Sequence, residues 1–441
     1  MGKHYNHFSS TMAKTTPNHG ISFAVLFGKR PVLIKAIIGL SIGFILFLTG
    51  CSINDSNPVS SVPNFDPFDT VFSVNSSITL NCEILNRSIV SRGNLSRLIT
   101  FLKKARNANS LKIGCIGGSI TIGTGASSEN TRYINRFQYF LQRLFPQTAF
   151  SIIDAGIGAT NSRFGCSRVR EDLLNEKPDL IVIEYAVNDD PNDSNLTTQS
   201  IEGLVRQCLQ LDSVPVFMLF TMDNKGDTIN AHFHSIIGNY YSLPIISYRN
   251  AIWPLVETNQ LSWTSIAADD VHPNDNGHMI IGYLLYSYVK NVFEQMDTIQ
   301  TGPVQIPGPF STDLYEFAGL HSSLPNDPLK VGQNVGWAVV EKEDKRIGYS
   351  STSSGDSIVF KTTLNEVTIG YHYWKNLSGH IQVKLDGQII DTLSNYFAAD
   401  WGPGFLRLFQ VFKQASNSPH TVTITNINNS LFDMQYLLYA K

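Results

Sequence analysis

Excess charge of one sign, cysteine and long apolar runs are all scarce in this chain, and each scarcity removes a class of function. Its 441 residues carry 33 Lys and Arg against 36 Asp and Glu, a net charge of -3 with no basic stripe. Nucleic-acid binding needs a Lys/Arg footprint, so no nucleic-acid partner is expected. The 5 cysteines include no CxxC pair and no zinc spacing, so neither a metal nor a cofactor is expected. Cys115 and Cys208 lie in apolar patterns and read as small core residues. Glycines cluster between Gly114 and Gly125, yet no Lys-Ser/Thr completes a phosphate loop, and Gly123-Thr124-Gly125 lacks the third glycine of a dinucleotide fingerprint. Gly-x-Ser-x-Gly is absent around Ser119, which argues against an α/β-hydrolase elbow. No internal repeat is evident.

What is present fits folded modules: 42% apolar and 16% charged residues. At about 150 residues per domain, the length suggests two or three domains. The long apolar run, Ala36–Leu48, follows Lys29, Arg30 and Lys35, as in a secretory signal. It ends in Leu48-Thr49-Gly50-Cys51, which resembles a bacterial lipobox with Cys51 as the lipidated residue. Ser52 after it, rather than Asp, favours the outer membrane by family rule if the host is Gram-negative. The expected location is the cell envelope, with the membrane reached through the lipid anchor. The alternative is a single-pass signal anchor, with Pro31 to Ile34 counted into a span of roughly 20 residues.

The domain reading is 1–51 as signal and lipoprotein segment, 52–90 as linker and N-terminal extension, 91–300 as an α/β domain, and 310–441 as a β-sandwich. The Ser-, Pro-, Asn- and Asp-rich stretch 52–75 reads as a tether. Helices are expected at Leu95–Ala105, Tyr133–Phe145, Val169–Asn175, Ile201–Leu211 and Asn276–Met296. Strands are expected at Leu111–Ile116, Phe150–Ile153, Leu180–Glu184, Val214–Phe220 and Leu243–Ser247. This alternation predicts βαβ units and a parallel sheet covered on both faces. Past the linker Pro303–Pro309 the pattern turns to short strands: Ser357–Phe360, Glu366–Tyr373, His380–Leu385 and His420–Asn426. Asp386-Gly387 is a type I′ hairpin signal, and a jelly-roll-like sandwich is expected.

Ser119 follows the first parallel strand on the turn Gly117-Gly118-Ser119-Ile120-Thr121, at a carboxyl strand end where such sheets bind ligands. A serine hydroxyl is a poor nucleophile without a base. Asp269-x-x-His272, about 150 residues on, offers His272 as base and Asp269 to orient it. Attack on an ester builds negative charge on oxygen, which needs donors. The loop Gly156-Ile157-Gly158 and the segment Ala186-Val187-Asn188-Asp189 follow later strands and offer them. Other polar residues read as bland. The His232/His234 pair lacks a third ligand, Asp189, Asp190 and Asp193 read as solvated turn residues, and His278 reads as a cap or packing group.

In this order the segments resemble the blocks of the SGNH hydrolases, or GDSL esterases, over roughly residues 108–290. The resemblance implies a flavodoxin-like three-layer α/β fold. It also implies catalytic Ser119, His272 and Asp269, and an oxyanion hole of the Ser119 N–H, Gly158 and Asn188, with Gly156 as the alternative glycine. Gly118 stands in place of the usual Asp and Ala186 in place of the usual Gly. The Gly-Gly-Ser-Ile-Thr form looks like that of secreted, sugar-acting members. The implied activity is ester hydrolysis through an acyl-serine, with O-acetyl groups of a polysaccharide as substrate. A lipase or lysophospholipase and a polysaccharide O-acetyltransferase are the alternatives. Trp337, Tyr373, Trp374 and Trp401 in the sandwich are candidates for stacking on sugar, with core packing as the other reading.

Overall fold

The computed structural model describes residues 71–226, 229–342, 345–398 and 404–441. The apolar run, the lipidation candidate Cys51, the tether up to residue 70 and Trp401 lie outside the described residues. Among the described residues, no helix is long and apolar enough to cross a membrane.

The described chain starts with a small hairpin of β1 (Val71–Ser73) and β2 (Thr79–Asn81), then α1 (Cys82–Ser88) and β3 (Ile89–Ser91). Three-residue strands carry no readable period, so no element is expected here from sequence. β3 nevertheless joins the main sheet. There follow α2 (Ser96–Ala105), β4 (Ser110–Gly117), the single turn α3 (Ser119–Ile122), α4 (Tyr133–Leu144), β5 (Ala149–Gly156), α5 (Ser162–Asp172) and β6 (Leu180–Glu184). The unit continues with α6 (Ser194–Leu209), β7 (Val216–Phe220), α7 (Ile229–Tyr240), β8 (Ile245–Ser247), α8 (Tyr248–Glu257) and α9 (Asp275–Gln295).

The sheet order is β3-β8-β7-β6-β4-β5, parallel except for β3. In chain order of the parallel strands this is the flavodoxin-like arrangement, with a topological switch point between β4 and β6. Every residue of β6 and β7 is buried, as expected for strands covered on both faces. One face packs on α2, α4, α8 and α9, with Ile280, Leu284, Tyr288 and Val292 of α9 inside as its spacing predicts. The other face packs on α5, α6 and α7.

Helices α7 and α8 are not marked by periodicity, and α8 holds Pro254 near its end. Helix α5 starts earlier than Val169 because Asn161 caps it, its side chain accepting from Phe164 N at 3.2 Å. Gly165, which weakens the helical pattern, lies in α5 where any Cβ would strike the Tyr185 ring.

A one-turn 3₁₀ segment, Leu314–Phe317, leads to the sandwich. Its strands are β9 (Gly319–Leu320), β10 (Lys330–Val335), β11 (Ala338–Glu341), β12 (Ile347–Ser351), β13 (Ser357–Thr362) and β14 (Glu366–Tyr373). They continue as β15 (His380–Leu385), β16 (Gln388–Ser394), β17 (Phe405–Lys413), β18 (His420–Asn426) and β19 (Phe432–Ala440). One sheet runs β10-β13-β18-β15-β16 and the other β11-β12-β19-β14-β17, all pairs antiparallel. From β13 onward the chain changes sheet at each connection except the β15–β16 hairpin, as in jelly rolls. Asp386 (φ 50) and Gly387 (φ 85) form the turn between β15 and β16, as a type I′ hairpin requires.

The sandwich is bolted to the α/β part by buried polar groups. Arg163 on α5 donates to Glu366 Oε1 at 2.6 Å and to Thr368 Oγ1 at 2.5 Å, and Tyr315 also donates to Glu366. Arg346 pairs with Asp172, while the rings of Phe164 and Tyr436 lie 4.9 Å apart. After the Pro303–Pro309 segment the chain is pinned to α6, where Glu202 accepts from the amides of Ser311 at 2.8 Å and Thr312 at 3.2 Å.

Candidate active site

Gly117 ends β4 at the switch point, and Gly118 carries the chain into α3, so Ser119 emerges at the carboxyl edge of the sheet. The loop before α9 meets this turn, His272 reaching Ser119. Asn274 caps α9 by accepting from the amides of Asn276 at 3.0 Å and Gly277 at 3.2 Å. Removing such a cap costs about 1 kcal/mol. Gly125, just past α3, lies where a Cβ would run into the Pro273 carbonyl, so glycine is what lets the serine loop and the histidine loop close on each other.

His272 Nε2 lies 2.8 Å from Ser119 Oγ, and His272 Nδ1 lies 2.7 Å from Asp269 Oδ2. The other Asp269 oxygen accepts from the amides of Val271 at 2.8 Å and His272 at 2.7 Å. Trp263 Nε1 donates to the Asp269 carbonyl at 2.7 Å, which holds the turn. Burial alone would raise the Asp269 carboxyl. The His272 amide, the imidazole and the Val271 amide overcome it and hold the group below its ordinary value. Asp269 is therefore an anion facing Nδ1, which fixes Nδ1–H and leaves Nε2 to accept the serine proton.

The two candidate glycines of the next loop differ in what their amides do. Gly156 N donates to Asp154 Oδ1 at 2.9 Å, and a Cβ there would strike the backbone of α3. Gly158 sits in the turn ahead of Ala159 (φ 54), with its Cβ direction 3.8 Å from Ser119 Cβ. Its amide has no protein acceptor among the described residues. Asn188 follows β6, and its side-chain amide packs on Gly118, where a Cβ would overlap it. Four segments distant in sequence thus meet at one sheet edge.

One reading of a neighbouring residue needs correction. Asp189 is not a solvated turn residue. It is buried, accepting from Ser162 N at 2.7 Å and facing His234 Nε2 at 2.6 Å. His234 is equally buried, its Nε2 against that carboxylate, while His232 lies outside the contact. No pattern in the sequence joins Asp189 to His234; only the fold does. Among the described residues no group of His, Cys, Asp and Glu is arranged to hold a metal.

His278 is a packing group. Its Nδ1 accepts from Tyr133 N at 3.2 Å, its Nε2 faces Thr124 O at 3.3 Å, and burial pushes it down to about 4. Cys115, Cys166 and Cys208 are free and buried, and burial pushes Cys166 and Cys208 up to about 12. They are not competing nucleophiles. Beneath the site, Glu184 is fully buried, accepting from Thr221 Oγ1 at 2.6 Å and Thr121 Oγ1 at 3.2 Å. Burial raises its carboxyl, partly offset by those two hydroxyls.

A cavity of about 380 Å³ adjoins Asn188. Its walls come from Asp190, Asp193, Arg163 and, from sandwich strand β17, Leu406 and Arg407. Arg407 also lies over the Tyr373 ring, 4.8 Å from its centroid. Trp337 is buried in the sandwich core, so of its two readings core packing holds. Trp374 is half-buried, its ring stacked on His372.

A three-layer parallel sheet with a Ser–His–Asp relay at its carboxyl edge is the architecture of a serine hydrolase. Residues 115–280 match the family of GDSL-like lipases and acylhydrolases. The chain carries this SGNH domain, and its enzyme class is that of the carboxylic ester hydrolases. Two crystal structures of a two-domain esterase active on acetylated mannans, one of them with mannopentaose, are similar over 81% of this chain and 98% of theirs. They are 25% and 26% identical to it, with TM-scores of 0.72 and 0.74. No curated protein matches the chain.

Proposed function

We propose that this protein removes O-acetyl groups from a polysaccharide, with Ser119 as nucleophile, His272 as general base and acid, and Asp269 as its orienting anion. The observation that carries the reading is the continuous relay from Ser119 Oγ through His272 to Asp269, at 2.8 and 2.7 Å.

In this reading His272 Nε2 takes the hydroxyl proton as Oγ attacks the ester carbonyl carbon. The oxygen of the tetrahedral intermediate accepts from the Ser119 and Gly158 amides and from the Asn188 side chain. His272 then delivers its proton to the departing sugar oxygen, leaving acetyl-Ser119. Water, activated by the same imidazole, releases acetate.

Two observations support a carbohydrate rather than an acyl chain as the group held beside the ester. The cavity next to Asn188 is walled largely by charged and polar side chains, with Arg407 contributed by the sandwich. The two-domain esterase that is similar over most of the chain is described as active on acetylated mannans. The test is acetate release from acetylated mannan and xylan beside p-nitrophenyl esters of rising chain length. The reading expects acetate release, a steep fall with chain length, and loss of both in Ser119→Ala and His272→Ala. Preference for long acyl chains would replace it with a lipase, and acetyl transfer to added sugar exceeding hydrolysis would replace it with an acetyltransferase.

For location we propose a lipid anchor at Cys51 in the cell envelope, on the basic flank, the apolar run and Leu48–Cys51. Palmitate labelling lost in Cys51→Ala is the expected outcome; equal labelling would refute it.

A further inference from the structure

We propose that Asp189 and His234 are a positioning couple that locks the two donor loops of the site into one register. The proposal rests on the reading of Gly158 and Asn188 as donors to the oxyanion.

Asp189 is the residue after Asn188, and its side chain is 2% exposed, as is that of His234. One carboxylate oxygen accepts from the amide of Ser162, at 2.7 Å. Ser162 is the first residue of α5, and Asn161 before it is the cap that ends the Gly158–Ala159 turn. This single bond therefore crosses from the Asn188 loop to the Gly158 loop. The second oxygen faces His234 Nε2 at 2.6 Å. Helix α7 supplies a further hold one turn earlier: Asn230 Nδ2 donates to the Asp189 carbonyl at 2.5 Å. Residues spaced by four share a helix face, so α7 grips both ends of Asp189. Ser162 Oγ and Ser200 Oγ, 3.0 Å apart, tie the start of α5 to α6 on the same side.

The energetic logic is that of a buried carboxylate with two strong donors. Without the carboxylate, the Ser162 amide and the imidazole lose their partner inside the protein, and the two loops have no direct polar link at this point. An oxyanion hole works only if its donors stay in place as charge develops, so slack between the loops reads out in the transition state rather than in substrate binding. A structural pair would instead show itself in stability alone. Neither residue touches the reacting atoms, so both act through Gly158 and Asn188.

The experiment uses the full chain and p-nitrophenyl acetate, with Asp189→Ala, Asp189→Asn, His234→Ala, His234→Gln, Asn188→Ala and Asn188→Ala/Asp189→Ala. Hydrogen exchange of the peptides covering 157–162 and 186–190 is measured on the same proteins. Asp189→Ala and His234→Ala are expected to lower kcat about 100-fold with KM within about 3-fold, the scale of losing one oxyanion donor. His234→Gln keeps an N–H near the Nε2 position and recovers most of the loss, as does Asp189→Asn, which keeps an acceptor for Ser162. In the Asn188→Ala background, Asp189→Ala adds less than about 3-fold, because coupled residues are not additive. Both peptides exchange faster together in Asp189→Ala. A lower melting temperature with unchanged kcat would overturn the proposal. So would an undiminished Asp189→Ala effect in the Asn188→Ala background, or faster exchange in one loop only. An inactive wild-type protein would overturn the esterase reading, while the exchange data still judge the couple.

Discussion

Replacing Glu366 by Ala removes the sandwich's half of a buried ion pair and leaves the Arg163 guanidinium inside the protein. The two side chains are 7% and 3% exposed, and among the described residues Arg163 keeps the neutral Thr368 Oγ1, at 2.5 Å, beside its charge. Breaking a buried pair from one side costs about 3–5 kcal/mol, because the surviving charge is left uncompensated. Tyr315, which donates to Glu366, loses its acceptor as well. Replacing both members with apolar residues of similar volume, Arg163→Met with Glu366→Leu, removes the stranded charge. What then remains is the Tyr315 hydroxyl, an unmet donor worth about 1–3 kcal/mol. Urea unfolding followed by tryptophan fluorescence and circular dichroism should therefore place Glu366→Ala at least 3 kcal/mol below wild type. The double variant should lie about 2 kcal/mol closer to wild type than the single. A single variant within about 1 kcal/mol of wild type, or a double variant no better than it, would refute the claim that this pair bolts the sandwich to α5.

The remaining predictions concern the site and its floor. Gly118→Ala places a Cβ inside the Asn188 amide, so kcat should fall about 100-fold with little change in melting temperature; wild-type kcat would contradict the packing described. Glu184 has a raised folded-state value, so the native state holds its proton longer than the unfolded chain does. Its burden on stability therefore grows as pH rises from about 4.5 through that raised value, and Glu184→Gln should flatten the pH dependence of the melting temperature there; an unchanged profile would refute this. Glu202 has the opposite sign. Burial would raise it, but the Ser311 and Tyr241 hydroxyls and the Phe310 and Ser311 amides hold it lower, so its contribution is present above about pH 4.5 and lost as the pH falls further. Glu202→Gln should lose stability at neutral pH and converge on wild type in acid.

Much of the fold can be read from the chain because the parallel strands announce themselves. Leu180–Glu184 is apolar up to its last residue and is buried on both faces, and the observed strand has the predicted ends. The sandwich strands Glu366–Tyr373, His380–Leu385 and His420–Asn426, bounded by turn residues, also have the predicted ends. Ser119 and His272 are visible because each sits in a short, compositionally odd motif at an element's end. Asp189 is not, because an aspartate in an acidic loop carries no sign of a partner in a helix that follows β7. The early start of α5 is hidden by Gly165, which serves a close approach to Tyr185 rather than a break in the helix. Trp337 shows the same limit, since exposure and core packing of a tryptophan look alike in sequence, and here it fills the sandwich core.

The most direct test of the central claim is to trap the covalent intermediate. Rapid acid quench of the protein during turnover of an acetyl ester, followed by peptide mapping, should find an acetyl group on the Ser119 peptide. It should be absent from Ser119→Ala and strongly reduced in His272→Ala, because the imidazole on Ser119 Oγ serves the acylation step as well as the water step. Acetyl on another residue, or sustained hydrolysis by Ser119→Ala, would contradict the account.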